Sequence, residues 1–274
     1  MFGEEKLFER NVSRLDGLEM NQIRRLIKMY KEAKKQLTNN ILFTPDNTFT
    51  RARMEYALEQ VDAMIIRMQK KLDEELKFGF ENLHLQGVED SASEINALEK
   101  KFNGLKSPPV SIEAVIASSQ PESFLFNQYQ ESIKAYNQSL RVEFQRSLGQ
   151  SLIQKKSWSQ AVFDMEQVFI GAEWRLQRLA RTELHNIYNV SKLKGFDRIR
   201  GKYFEDLKKT LYHPMDIRTG DDSIKASKSP KMIVALDKPF KYTFKGKDRI
   251  FMNPPDRPND RAILIPYRES YDAK

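Results

Sequence analysis

The sequence predicts an α+β protein that is predominantly α-helical: a long-helix amino-terminal module, then a helical region, then a small antiparallel sheet at the carboxyl end. Three observations predict it. Apolar residues recur at helical spacing through most of the chain before residue 200. The strongest break lies at Ser107-Pro108-Pro109, where consecutive prolines exclude helix. A period of two, the mark of a half-buried strand, appears only late, in Phe240-Lys241-Tyr242-Thr243-Phe244-Lys245. The expected division is therefore a helical module over residues 1–106 and a second domain over 107–274, helical to about 212 with a β region at about 230–268.

The first element expected is an amphipathic helix from about Asp16 to Leu42, with Ile23, Leu26, Ile27, Tyr30, Leu37 and Ile41 among many basic residues. Thr44-Pro45-Asp46-Asn47-Thr48 breaks it and offers N-caps for the next helix. There, Met54, Leu58, Val61, Ile65, Met68, Leu72 and Leu76 recur at alternating steps of four and three, a heptad-like seam. A helix of about thirty residues, roughly 45 Å long, requires an antiparallel partner, either the first helix or Ile95–Phe102. Gly79, Gly87 and Gly104 punctuate the chain between this helix and the double proline.

After the double proline come short apolar pieces at Ile112–Ala117 and Phe124–Tyr129, then a longer helix around Gln130–Ile153. Ser157 is placed to cap a further helix through Val162, Met165 and Phe169, running on into Glu173–Phe196. Residues 196–212 read as partly helical, and His213-Pro214 ends them. Met232–Leu236, Phe240–Lys245, Arg249–Met252 and Ala262–Tyr267 are candidate strands of a sheet of three or four strands.

Composition bounds the chemistry. The chain has 274 residues, no cysteine and a formal net charge of +8. Lacking cysteine, it has no disulfide framework, no thiol nucleophile and no Cys-based zinc site. The amino terminus lacks the basic and apolar regions of a leader, and no window reaches the roughly 18 apolar residues of a membrane span, so a soluble chain without membrane contact is expected. Residues 192–274 hold 20 Lys and Arg against 12 Asp and Glu, whereas residues 1–191 hold 26 of each. The whole excess is carboxyl-terminal. It suits a polyanion, an acidic protein surface or a solvated basic face.

Glu173–Phe196 is where a functional argument begins. At 100° per residue Ala172, Leu176, Leu179, Ile187 and Val190 share a face, with Glu183 in its middle and Arg181 opposite. A carboxylate in an apolar stripe needs a partner, because an unpaired buried charge costs several kcal/mol. Glu183 is expected to be a buried structural anchor taking hydrogen bonds from Arg218, the 218–223 turn or Arg261. A catalytic acid is the other reading. No H-x-x-x-H pair, G-x-S-x-G elbow, P-loop or G-x-G-x-x-G supports an enzyme. His84, His185 and His213 are far apart, and His213 with Asp216 reads as turn chemistry, so no metal, no cofactor and no catalytic residue is expected. Lys192, Lys194, Arg198, Arg200, Lys202, Lys208 and Lys209, interleaved with Phe196, Tyr203 and Phe204, are candidate contacts for DNA or an acidic partner.

Ala180-Arg181-Thr182-Glu183 followed by Asn186, then Asp216-Ile217-Arg218-Thr219, then Pro254-Pro255-Asp256-Arg257-Pro258-Asn259-Asp260-Arg261-Ala262-Ile263 resembles the Mu F-like head-morphogenesis family of tailed phages. The resemblance covers roughly residues 140–268 and marks Arg181, Thr182, Glu183, Asp216, Arg218, Thr219, Asn259 and Arg261 as its structural motif. Asp260 and Ala262 stand where relatives often have cysteine, and Ser223 where many have histidine. The resemblance implies a non-enzymatic minor capsid protein of the virion, associated with the portal protein and the capsid interior at one vertex, in several copies. Its implied role is head assembly and the packaging or ejection of double-stranded DNA, after a period in host cytoplasm. A nucleic-acid-binding protein without sequence preference or virion role is the alternative.

Overall fold

A computed structural model of the protein describes residues 2–42, 49–104, 108–119, 123–214, 232–255 and 260–271. The described elements are helices α1 (Phe2–Leu42), α2 (Arg51–Asn103), α3 (Ile112–Ser118), α4 (Ser123–Ile153) and α5 (Trp158–Lys202), then strands β1 (Lys208–Tyr212), β2 (Val234–Ala235), β3 (Phe240–Phe244), β4 (Lys247–Phe251) and β5 (Ile263–Tyr267). The architecture is α+β and predominantly helical, with its strands at the carboxyl end. No described helix is long and apolar enough to cross a membrane.

Two compact units form, each from non-contiguous segments: residues 1–20, 79–123 and 181–274 in one, and 21–78 and 124–180 in the other. The Pro108-Pro109 step lies inside the first unit and does not separate the two. Helices α1, α2 and α5 supply residues to both.

The second unit is a four-helix bundle. Its pairings run in opposite senses along each neighbouring pair. Gln22 donates to the Glu75 carbonyl between α1 and α2. Asp73 meets Gln130 and Asp62 meets Arg141 between α2 and α4. Asp164 meets Ser151 and Arg175 meets Glu143 between α5 and α4. Lys31 meets Glu173 and Lys34 lies over Phe169 between α1 and α5. The seam Val61, Met68, Leu72 and Leu76 of α2 is buried here, as are Leu26 and Tyr30 of α1. Phe169 anchors the centre, with ring centroids 4.8 Å from Phe144 and 5.4 Å from Tyr30. Ser157 caps α5 in a reciprocal box: its hydroxyl accepts from the Gln160 N–H at 3.3 Å, and Gln160 accepts from the Ser157 N–H at 3.1 Å.

The first unit packs α1, α2 and α5 with the strands. β1 is the centre of a three-stranded antiparallel sheet of order β2-β1-β5, and β3-β4 form a separate hairpin. Lys245 and Gly246 both have positive φ, 49° and 73°, the geometry of a two-residue hairpin turn whose second residue favours glycine. Val88, Ala92 and Ile95 of α2, Phe196 and Ile199 of α5, and Leu236, Phe240 and Leu264 form the core.

Three expectations are corrected. The chain is not helical to 212: α5 ends at Lys202 and Lys208–Tyr212 is the central strand. Its side chains bury Lys209 and Thr210, so a strand opening on two lysines reads as surface although it lies at the heart of the sheet. α2 does not stop near Gly79 but runs on to Asn103, 53 residues in all. α1 begins at Phe2 rather than near Asp16, carried by Phe8, Val12 and Leu15 at spacings of four and three, all buried.

Candidate functional site: the polar seam of α5

Within the first unit α5 is surrounded, and so its buried residues are not a stripe. Leu184, His185, Ile187, Tyr188, Asn189, Ser191, Lys192 and Phe196 are all buried. Three of the polar members, His185, Asn189 and Lys192, lie at i, i+4 and i+7, the same spacing that an apolar face uses, and Ser191 lies beside them. Each is met by a partner.

His185 bridges α1 and the start of β5. Its Nδ1 lies 2.8 Å from a Glu19 carboxylate oxygen and its Nε2 2.7 Å from the Ala262 carbonyl. Both partners accept only, so both ring nitrogens donate and the imidazole is the charged form. Burial opposes that charge, but Glu19, the Ala262 carbonyl and Asp260 outweigh it and hold the His185 pKa above its ordinary value. Four residues on, Asn189 donates to the His185 carbonyl at 3.0 Å and accepts the Leu264 N–H at 2.8 Å. A helix side chain thus satisfies a strand backbone group. Arg261, just before β5, reaches Asp16 of α1 at 2.6 Å.

One turn further, the Tyr188 hydroxyl donates to Asp90 at 2.8 Å, and Arg14 pairs with the same carboxylate. Lys192, fully buried, donates to Glu94 at 2.5 Å and lies 5.5 Å from the Tyr188 ring centroid. Asn11 adds a second donor to Glu94 at 2.7 Å. Burial pushes the Glu94 carboxyl up to about 7, with Lys192 opposing and Asp90 reinforcing. At the far end, Glu99 takes bonds from Arg268 at 2.5 Å and from the Tyr271 hydroxyl at 2.8 Å.

The backbones of α2 and α5 come very close here. A Cβ on Gly87 would stand 2.5 Å from the Tyr188 carbonyl oxygen, and one on Gly195 would overlap Ser91 Oγ. His84, one turn before Gly87, donates from Nε2 to the Ser119 carbonyl and meets Ser191 Oγ at Nδ1, both at 2.9 Å.

Of the residues singled out from sequence, Glu183 is half-buried rather than buried, because the faces of α5 turned fully inward carry Leu184 and His185 instead. Arg181 and Thr182 are half-buried too, and Arg181 lies 3.4 Å from the Met20 sulfur. Asp216, Arg218, Thr219 and Asn259, with the 218–223 turn expected to serve Glu183, lie outside the described residues. Lys192 and Lys209 are corrected as surface contacts: both are fully buried, the second donating to the Met252 carbonyl at 2.7 Å and lying 5.2 Å from the Phe240 ring centroid. In the remainder of the basic run, Arg198 and Lys202 are exposed, Lys194 is half-buried, Arg200 pairs with Asp197 at 3.1 Å, and Lys208 with Glu269 at 2.7 Å.

His185, Asn189, Glu19, Asp90 and Glu94 were not singled out from sequence as parts of a site. The available signal was the H-x-x-x-N-x-x-K spacing on α5, which places three polar side chains on neighbouring turns. Among the described residues no group of three His, Asp or Glu side chains is placed to hold a metal ion. The seam is chemically a set of buried ion pairs and hydrogen bonds that fix α1, α2, α5 and β5 to one another, with Glu94 Oε2 and Asn11 Oδ1 left without a hydrogen bond among the described residues. Comparison of the chain with protein-family models, with curated proteins and with solved structures finds no match.

Proposed function

We propose that this chain is a minor structural protein of a tailed-phage head, acting at the portal vertex in head assembly and in DNA packaging or ejection. The observation that carries the reading is the ordered set of three motifs, A-R-T-E at 180–183, D-x-R-T at 216–219 and the closing run at 254–263, which resembles the Mu F-like head-morphogenesis pattern. The polar seam supports it. The helix bearing the first motif grips the strand that follows the third through His185 and Asn189, so the two ends of the pattern act as one structural piece. Such a piece suits a protein whose work is to hold shape against neighbours rather than to turn over a substrate.

In this reading the portal protein and the capsid interior are the partners, packaged double-stranded DNA lies nearby, and the protein is present in several copies. Any contact with DNA or an acidic partner through the basic run falls to Lys194, Arg198, Arg200, Lys202 and Lys208, since Lys192 and Lys209 are engaged inside the fold. Mass spectrometry of purified particles from the encoding phage, and of portal complexes extracted from them, tests the proposal. The chain is expected in both, in far fewer copies than the major capsid protein. Its recovery only as a free cytoplasmic pool overturns the reading and favours the nucleic-acid-binding alternative.

A further inference from the structure

We propose that the groove between α1 and α5 of the four-helix unit is a docking site for an acidic amphipathic helix of a partner protein. The inference does not rest on the phage reading. Arg24, Lys28, Lys31 and Lys35 recur along α1 at steps of four, three and four, which lines them on one face, and with Ile27, Glu32 and Glu173 they border a cavity of about 530 Å3. Lys31 reaches Glu173 at 3.3 Å, and among the described residues nothing pairs with Arg24, Lys28 or Lys35. Lysine and arginine stems make the groove walls apolar while their charged heads stay at the rim.

The second observation is on α5. Glu173 stands where α5 meets α1, and some 60° to 100° further round the helix Phe163, Ile170 and Trp174 form a stripe, each 59% exposed. Large apolar side chains in a row on a helix face mark an interaction site, whereas scattered ones do not. The helices run antiparallel here, with Lys31 at Glu173 and Lys34 over Phe169, so residues 28–35 of α1 lie beside about residues 168–177 of α5, roughly 10 Å of helix. The pairing of Lys31 with Glu173 and the placement of Lys34 over Phe169 set Ile170 and Trp174 level with the cations.

Charge and shape together select the occupant. A helix with an apolar face lies on Ile170 and Trp174, and its flanking carboxylates meet Lys28 and Lys35. Nucleic acid fits less well, because Glu32 and Glu173 stand among the lysines and repel phosphates, while the exposed stripe carries aliphatic as well as aromatic groups.

Fluorescence anisotropy on the full chain tests it, using a fluorescein-labelled synthetic helix of three to four turns with leucines on one face and flanking glutamates. The controls are the same peptide with lysines for glutamates and a labelled DNA duplex. Saturable binding of the acidic peptide is expected, weakened about tenfold or more both by Trp174→Ser and by paired Lys28→Glu and Lys35→Glu. These side chains are exposed, so circular dichroism should show unchanged helicity. The proposal is overturned by absence of saturable peptide binding, or by peptide binding indifferent to Trp174→Ser. Tighter binding of the duplex, sensitive to the lysines alone, replaces it with a polyanion site. Concentration-dependent self-association abolished by Trp174→Ser replaces it with an interface between copies.

Discussion

The Asn189 side chain does the work of a strand for Leu264: its Oδ1 accepts the Leu264 N–H at 2.8 Å while its amide donates back to the His185 carbonyl. Because these groups are buried, truncation leaves the Leu264 N–H without a partner, at about 1–3 kcal/mol, while the His185 carbonyl keeps its helical N–H. Asn189→Ala is therefore expected to lower the urea midpoint without changing the slope. Asn189→Asp should cost more, since it sets a buried carboxylate against the carbonyls that the amide now serves.

Gly87 supplies a second, steric test. Its missing Cβ would meet the Tyr188 carbonyl oxygen and the Lys192 amide nitrogen, both rigid backbone. Gly87→Ala should destabilise the first unit by roughly 1–3 kcal/mol as overpacking, despite the better helix propensity of alanine. Gly17→Ala is the matched control: it lies in α1 with nothing within 4 Å, and should stabilise by up to about 1 kcal/mol. Thermal denaturation of the two variants, showing shifts of opposite sign, is the expected result.

Lys192 and Glu94 form a buried pair, so the single and double replacements should differ sharply. Lys192→Met leaves a carboxylate in the core and is expected to cost about 3–5 kcal/mol, whereas Lys192→Met with Glu94→Met should be close to neutral. Arg198→Ala, at an exposed position of the same basic run, should change stability by less than about 0.5 kcal/mol. A double-mutant cycle in guanidinium chloride measures the coupling directly.

The contrast between Lys192 and Arg198 also explains what the sequence made legible. The seam of α2, the cap at Ser157, the continuous α5 and the alternating Phe240 strand were readable because apolar period and capping chemistry are local signals. The polar seam was not, because a lysine or glutamate carries the same letter whether it faces water or an opposite charge contributed by a helix a hundred residues away. Lys208-Lys209 was misread for that reason: its strand partners, Ala235 and Tyr267 for the first and Val234 and Pro266 for the second, lie far along the chain. The placement of Glu183 on the inward face failed because the stripe argument assumes one solvent side, and α5 between residues 184 and 196 has almost none.

Glu19, not Glu183, is the carboxylate whose loss should matter most to α5. It is 2% exposed and holds the charged His185 ring, while Glu183 is half-buried and can be rehydrated when its contacts change. Glu19→Ala is expected to cost about 3–5 kcal/mol and Glu183→Ala roughly 1 kcal/mol, by equilibrium denaturation. Comparable losses would return Glu183 to the anchoring role expected from the apolar stripe.

The last expectation concerns pH, and the two seam groups that titrate between pH 4 and 9, His185 and Glu94, push in one direction, with Lys209, lowered to about 8, opposing them only above pH 8. His185 has a folded pKa above its ordinary 6.5, so its contribution is fully present below that value and is lost as pH rises through the folded pKa. Glu94, raised from 4.5 to about 7, also binds its proton more tightly in the folded chain, so the folded state loses stability as pH rises from about 4.5 to 7, by roughly 3 kcal/mol at most. The first unit should therefore be more stable at pH 5.5 than at pH 8.5, opposite to the acid sensitivity that paired carboxylates with lowered pKa values produce. Urea titrations at the two pH values measure the difference. The Lys192→Met, Glu94→Met pair should remove the part between pH 4.5 and 7 and leave the part above 6.5, which belongs to His185. NMR of the His185 ring should show its second proton lost at a higher pH than in a free imidazole, and at the ordinary pH in Glu19→Ala if that variant folds.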